Sequence, residues 1–160
     1  MTEIEIGRAK RARRAYAFDD VAVVPSRRTR DPKDVSVTWS IDAFTFQMPV
    51  IAAPMDSVVS PATAIAIGKL GGLGVLDLEG VWTRYDNPEP ILAEIRSLPA
   101  GQATARMQAI YSEPFKPALV AERLAEIRAA GVPVAGALSP QRTHELHKTV
   151  LDAGVDLFVI

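Results

Sequence analysis

Residues 50–76 read VIAAPMDSVVSPATAIAIGKLGGLGVL, and the order of patterns within this stretch decides the fold. Val50 to Ala53 is a continuous apolar run without polar alternation, as expected of a strand buried on both faces in a parallel sheet. Ser60 and Pro61 follow in the order of an N-cap and a first helical residue. Ala64, Ile65, Ile67, Gly68 and Leu70 then make a helical apolar stripe, stopped by Gly71 and Gly72. Leu73 to Leu76 is a second short buried strand. Strand, helix and strand joined by short connections make a βαβ unit.

Downstream the unit repeats. Asn87 and Pro88 open a predicted helix through Leu98, and a second runs from about Pro117 to Ala130, stopped by Gly131. Val134 to Leu138 is the third buried strand. Ser139 and Pro140 again read as an N-cap and first helical residue, with the helix ending near Gly154. Val155, Leu157, Phe158, Val159 and Ile160 start a fourth strand. A β/α barrel needs eight strands and typically about 250 residues. About four are present, so the chain is expected to be the N-terminal half of a (β/α)8 TIM barrel. The alternative is a complete doubly wound domain with a strand at its terminus.

Upstream, Val35, Val37 and Trp39 alternate with polar residues as a half-buried strand does, and Phe44 and Phe46 repeat the pattern after a turn near Asp42. These are expected to be short antiparallel strands before the first barrel strand. Val21 to Val24 is an apolar run closed by Pro25, and a polar basic loop follows from Ser26 to Lys33. Arg8, Lys10, Arg11, Arg13 and Arg14 form a basic cluster, expected to be a solvated arm or short helix over residues 1–17.

Composition narrows the function classes. The 160 residues are 48% apolar and 23% charged with a net charge of −1, a balance that offers no general attraction to nucleic acid or anionic membranes. There is no cysteine, which excludes disulfides, thiolate metal sites and a cysteine nucleophile within this stretch. His144 and His147 are the two histidines; they share a helix face, but their spacing is not the i, i+4 pair of a helical zinc site, so surface histidines and no metal are expected. The N-terminus shows no export-signal core, and no apolar stretch approaches the roughly 20 residues of a membrane span. A cytoplasmic location is expected.

Gly71, Gly72 and Gly74 suggest a phosphate loop, but their order argues against it. Such a loop follows a strand and opens a helix, whereas these residues follow a helix and open a strand. They read as a helix C-cap and a close packing point.

Three motifs occur in sequence: FDDVAVVP at 18–25, PVIAAPMDSV at 49–58 and GGLGVL at 71–76. In order and spacing they resemble the IMP dehydrogenase/GMP reductase family, and AGVDLFVI at 153–160 is a weaker match. The resemblance implies residues 18–160 as a barrel portion without CBS domains, for which the segment between the second and third strands leaves no room. This favours GMP reductase or the short IMP dehydrogenase-related branch, which Pro25 to Arg30 also resembles. It further implies an oxidoreductase of purine nucleotide metabolism, moving hydride between the purine C2 and NAD or NADP, with IMP, GMP or XMP as ligand and a homotetramer as the assembly.

In the family a cysteine beyond the sixth strand attacks C2, so no catalytic residue is expected here, and the 160 residues alone are expected to be inactive. For substrate binding the resemblance points to Ala53, Met55, Asp56 and Ser57 at the first strand's end. Met55 matches the family's methionine; Ala53 stands where the family has a serine and lacks its hydroxyl. A second departure follows the second strand, where Asp77, Leu78 and Glu79 replace a His-Lys pair whose contacts cannot be transferred. The alternative is a non-catalytic relative that binds nucleotide or assembles with active subunits.

Overall fold

A computed structural model describes residues 3–24 and 31–160, in two compact units, residues 1–36 and 37–160. The basic stretch at 25–30 lies outside the described residues.

The first unit corrects the reading of the basic cluster as an arm or short helix. β1 (Glu3–Gly7) and β2 (Lys10–Arg13) form an antiparallel hairpin in which Glu5 sits opposite Arg11. The alternation of Ile4 and Ile6 with polar residues is a strand period, and Ala9, at φ 59°, makes the turn. Phe18–Asp20 and Pro32–Asp34 are single 3-10 turns. Val21, Val23 and Val24 remain exposed.

In the second unit, β3 (Trp39–Ile41) pairs antiparallel with β4 (Phe44–Phe46) around a turn where Asp42 has φ 49°. The expected strand from Val35 is shorter than its pattern, with Val35 and Val37 exposed. Its ladder ends where Trp39 faces Phe46, because β4 offers three residues to pair with. Trp39 stacks on Phe46 at 4.7 Å and donates its indole N–H to the Met48 carbonyl.

The main sheet is parallel, in the order β5 (Ile51–Ala52), β6 (Leu73–Asp77), β7 (Ala135–Ala137) and β8 (Leu157–Val159). α1 (Pro61–Lys69) joins the first two strands, and α5 (Pro140–Asp152) joins the last two. Between β6 and β7 stand three helices, α2 (Glu89–Ser97), α3 (Ala100–Tyr111) and α4 (Pro117–Ala129), of which the sequence pattern shows two. β6 and β7 are buried as expected, but β5 is not: Val50 and Ile51 are 45% and 54% exposed, because β5 is an edge strand paired to β6 alone.

Ser60 caps α1 as expected, its Oγ accepting from the Thr63 N–H while Thr63 Oγ1 accepts from the Ser60 N–H. Ser139 does not cap α5; its hydroxyl donates to the Glu79 carboxylate instead. Gly71 ends α1 with φ 88°, and Gly74 brings β6 so near Ala64 that a Cβ would lie 2.6 Å from its Cα.

Two apolar clusters cover the two faces of the sheet. Leu76 packs with Ala64 of α1, Leu124 and Ile127 of α4, and Leu146 and Val150 of α5. Leu73, Val75, Ala135 and Ala137 face the other way and pack with Phe46. Strand side chains alternate, so Asp77 continues the face of Leu73 and Val75, at the carboxyl end of β6.

Candidate functional site

The carboxyl ends of β5 and β6 and the hairpin of α2 and α3 enclose a cavity of about 520 Å³. Pro54, Met55, Asp56, Ser57 and Asp77 form its strand-end wall. The helices α2 and α3 add Leu92, Ile95, Met107 and Tyr111, with Glu89 and Arg96 also from α2. A second hollow lies over the ends of β6, β7 and β8 and shares Pro54, Asp77 and Tyr111 with the first.

Of the residues named from sequence, Met55, Asp56 and Ser57 come together in the first cavity, and Ala53 lines neither. A tight turn arranges them, its N–H groups of Val58 and Val59 both donating to the Met55 carbonyl. Met55 is half exposed. The Asp56 carboxylate is already engaged: Oδ2 accepts from the Val81 N–H at 2.9 Å and from the Tyr111 hydroxyl at 2.6 Å. Asp56 thus joins the end of β5 to the loop after β6 and to the end of α3. The Tyr111 hydroxyl is correspondingly held above the usual phenol range by burial and by that carboxylate.

Asp77 has a different environment. Oδ1 accepts from the Glu79 N–H at 2.9 Å, and Oδ2 takes no hydrogen bond among the described residues. Burial, aided by the charges of Asp56 and Glu79, raises its pKa to about 6. The carboxyl of Asp77 therefore changes charge around pH 6. In the sequence Asp77 stands out only as a departure from a motif, and Tyr111 and Met107 carry no signal because α3 has no continuous apolar stripe.

The loop that carries Asp77 onward is fixed by side-chain bonds. Thr83 Oγ1 donates to the Leu78 carbonyl at 2.7 Å, and Arg84 donates to the carbonyls of Glu79 and Glu113. The Glu79 carboxylate accepts from both the N–H and the hydroxyl of Ser139, which links the loops after β6 and β7. Among the described residues no group of three or more His, Asp or Glu side chains could hold a metal ion, and no helix is long and apolar enough to cross a membrane. His144 is exposed, and His147 turns Nδ1 toward the carbonyls of Thr143 and His144 in its own helix.

A four-stranded parallel sheet in sequential strand order, with a cavity at the carboxyl ends of its strands, is an α/β architecture that matches part of a TIM barrel. Residues 15–160 match the IMP dehydrogenase / GMP reductase domain. The chain belongs to that family. It is similar to an IMP dehydrogenase/GMP reductase-like protein from Corynebacterium glutamicum, with a TM-score of 0.83 at 41% identity over 99% of this chain and 44% of that one. It is 44% identical to an uncharacterized oxidoreductase of Mycolicibacterium smegmatis, over 98% of this chain and 43% of the relative. An inosine-5'-monophosphate dehydrogenase of Methanocaldococcus jannaschii is 42% identical over 65 residues, 41% of this chain and 13% of that protein. The chain thus spans less than half the length of the relatives it matches most fully.

Proposed function

We propose that these residues form the substrate-side wall of a purine-nucleotide oxidoreductase of IMP dehydrogenase or GMP reductase type, with IMP, GMP or XMP as ligand and NAD or NADP as redox partner. The observation that carries the reading is the cavity at the end of β5, where Met55, Asp56 and Ser57 meet the hairpin of α2 and α3. Ligands of β/α barrels bind at that end of the strands. Met55 and Ser57 would contact the nucleotide, while Asp56 holds the wall in place through Val81 and Tyr111. Ala53, outside the cavity, would contribute backbone shape alone.

A nicotinamide ring would supply the hydride acceptor or donor. The apolar flank of Leu92, Ile95 and Met107 suits a flat ring of either ligand. Phosphates find no cradle at Gly71, Gly72 and Gly74, which close a helix and open a strand. In this reading the phosphate-binding groups and the cysteine nucleophile belong to sequence outside these 160 residues, in which no cysteine occurs. Such a protein would carry residues 18–160 as barrel portion without CBS domains and would work in the cytoplasm as a homotetramer.

Calorimetric titration of the chain with IMP and GMP tests the reading. Binding without turnover of NAD or NADPH is expected from these residues alone, and turnover from protein extended to the length of its relatives. Failure of every purine nucleotide to bind either protein would overturn it.

A further inference from the structure

We infer that Asp77 makes the cavity between the strand ends and the α2–α3 hairpin a subsite selective for a ring edge carrying two adjacent N–H donors, the guanine edge rather than the hypoxanthine edge. This deepens the proposed nucleotide-binding function and rests on it for the choice of purines.

Leu92, Ile95 and Met107 supply an apolar flank to the cavity of about 520 Å³ that Asp77 also lines. A cavity of this size and make-up suits a flat ring anchored by few polar groups. Among those groups acceptors dominate. Asp56, Asp77 and Glu89 line the cavity against one cation, Arg96, which disfavours an anionic ligand end there. Of the acceptors, Asp56 spends Oδ2 on Val81 and Tyr111, and its Oδ1 is sealed from solvent. Glu89 is exposed on the first turn of α2.

Asp77 is the carboxylate left with capacity. Its backbone bond from Glu79 takes one of the two lone-pair sites of Oδ1 and fixes the group's orientation, while Oδ2 has no donor among the described residues, so both oxygens can still accept. The half-buried position makes an incoming N–H donor worth more than it would be in water. A carboxylate can accept two parallel N–H bonds from one planar partner. Guanine presents N1–H beside its exocyclic amino group; hypoxanthine presents N1–H alone. Tyr111, whose hydroxyl proton is committed to Asp56, serves the subsite as a wall.

The test is titration of the chain with guanosine and with inosine, which lack phosphate and so report on the ring alone. Guanosine should bind about tenfold more tightly, in line with the discrimination a bidentate pair provides. Asp77→Asn should remove that preference, and Met107→Trp, which fills the cavity, should abolish binding of both. Leu92→Trp is the second filling variant should Met107→Trp unfold, with circular dichroism as the check on each. Equal binding of the two nucleosides, blocked by either tryptophan, would overturn the role of Asp77 and leave the nucleotide site standing. Binding indifferent to both tryptophans, or no binding of either nucleoside, would overturn the subsite, and the absence of IMP and GMP binding as well would take the nucleotide reading with it.

Discussion

The hydroxyl of Tyr111 donates to the carboxylate of Asp56 at 2.6 Å, joining residues 55 positions apart and fastening the end of α3 to the end of β5. A partly buried bond to a charged acceptor contributes on the order of 1–2 kcal/mol. Tyr111→Phe should cost about that much in urea unfolding. In hydrogen exchange it should loosen the amides of α2 and α3 while those of β6 and β7 keep their protection.

Gly80 leaves no room for a side chain, because a Cβ there would lie 2.1 Å from Asp56 Oδ1. Gly80→Ala must push the carboxylate off the Val81 N–H. The expected cost is about 2–4 kcal/mol, from overpacking and a lost charged hydrogen bond together. Thermal denaturation measures it, and a fall in purine-nucleotide affinity should accompany it.

Asp77 titrates near pH 6 in the folded chain against 3.8 when exposed, so folding disfavours its ionised form. Acidification through pH 6 toward 4 therefore favours the folded state at this residue, and that contribution is lost again as the pH rises through 6. Asp77→Asn should stabilise the chain at pH 7 by on the order of 1–2 kcal/mol, discounted for partial exposure, and the gain should vanish below pH 4. Denaturant midpoints of both proteins across that range give the comparison. A gain that grew on acidification would contradict the assignment.

Arg123 of α4 is 9% exposed, and its guanidinium donates to the carbonyls of Trp82 at 3.3 Å and Asp86 at 2.8 Å. Arg123→Met keeps much of the side-chain volume and orphans both carbonyls. A loss of about 2–3 kcal/mol is expected, read by urea unfolding, with residues 82–86 more open to proteolysis.

The repeat of buried strand and capped helix was legible from Ser60-Pro61 onward because each signal is local: an N-cap, an apolar period, a stop glycine. What escaped depends on distant partners. Ser139 has the chemistry of a cap but gives its hydroxyl to Glu79, 60 positions earlier. α3 has Gly101 in its first turn and no continuous apolar stripe, so Tyr111 could not be assigned to any face of anything. The site was half legible: motif resemblance pointed to Met55, Asp56 and Ser57, which share a cavity, and to Ala53, which does not line it. The free oxygen of Asp77 follows only from seeing which neighbours donate to it. The exposure of β5 was equally hidden, since an apolar run does not state how many strands flank it.

The contact of Gly80 with Asp56 also makes the order of evolutionary change matter. While the carboxylate stands, alanine at 80 is barred; once Asp56 has become alanine, the three nearest of the clashing atoms are gone. The double variant Asp56→Ala with Gly80→Ala should therefore cost less than the two single costs added together. A lineage that gave up the acid would drift irreversibly, because the first bulkier residue at 80 would close the space that an aspartate needs to return.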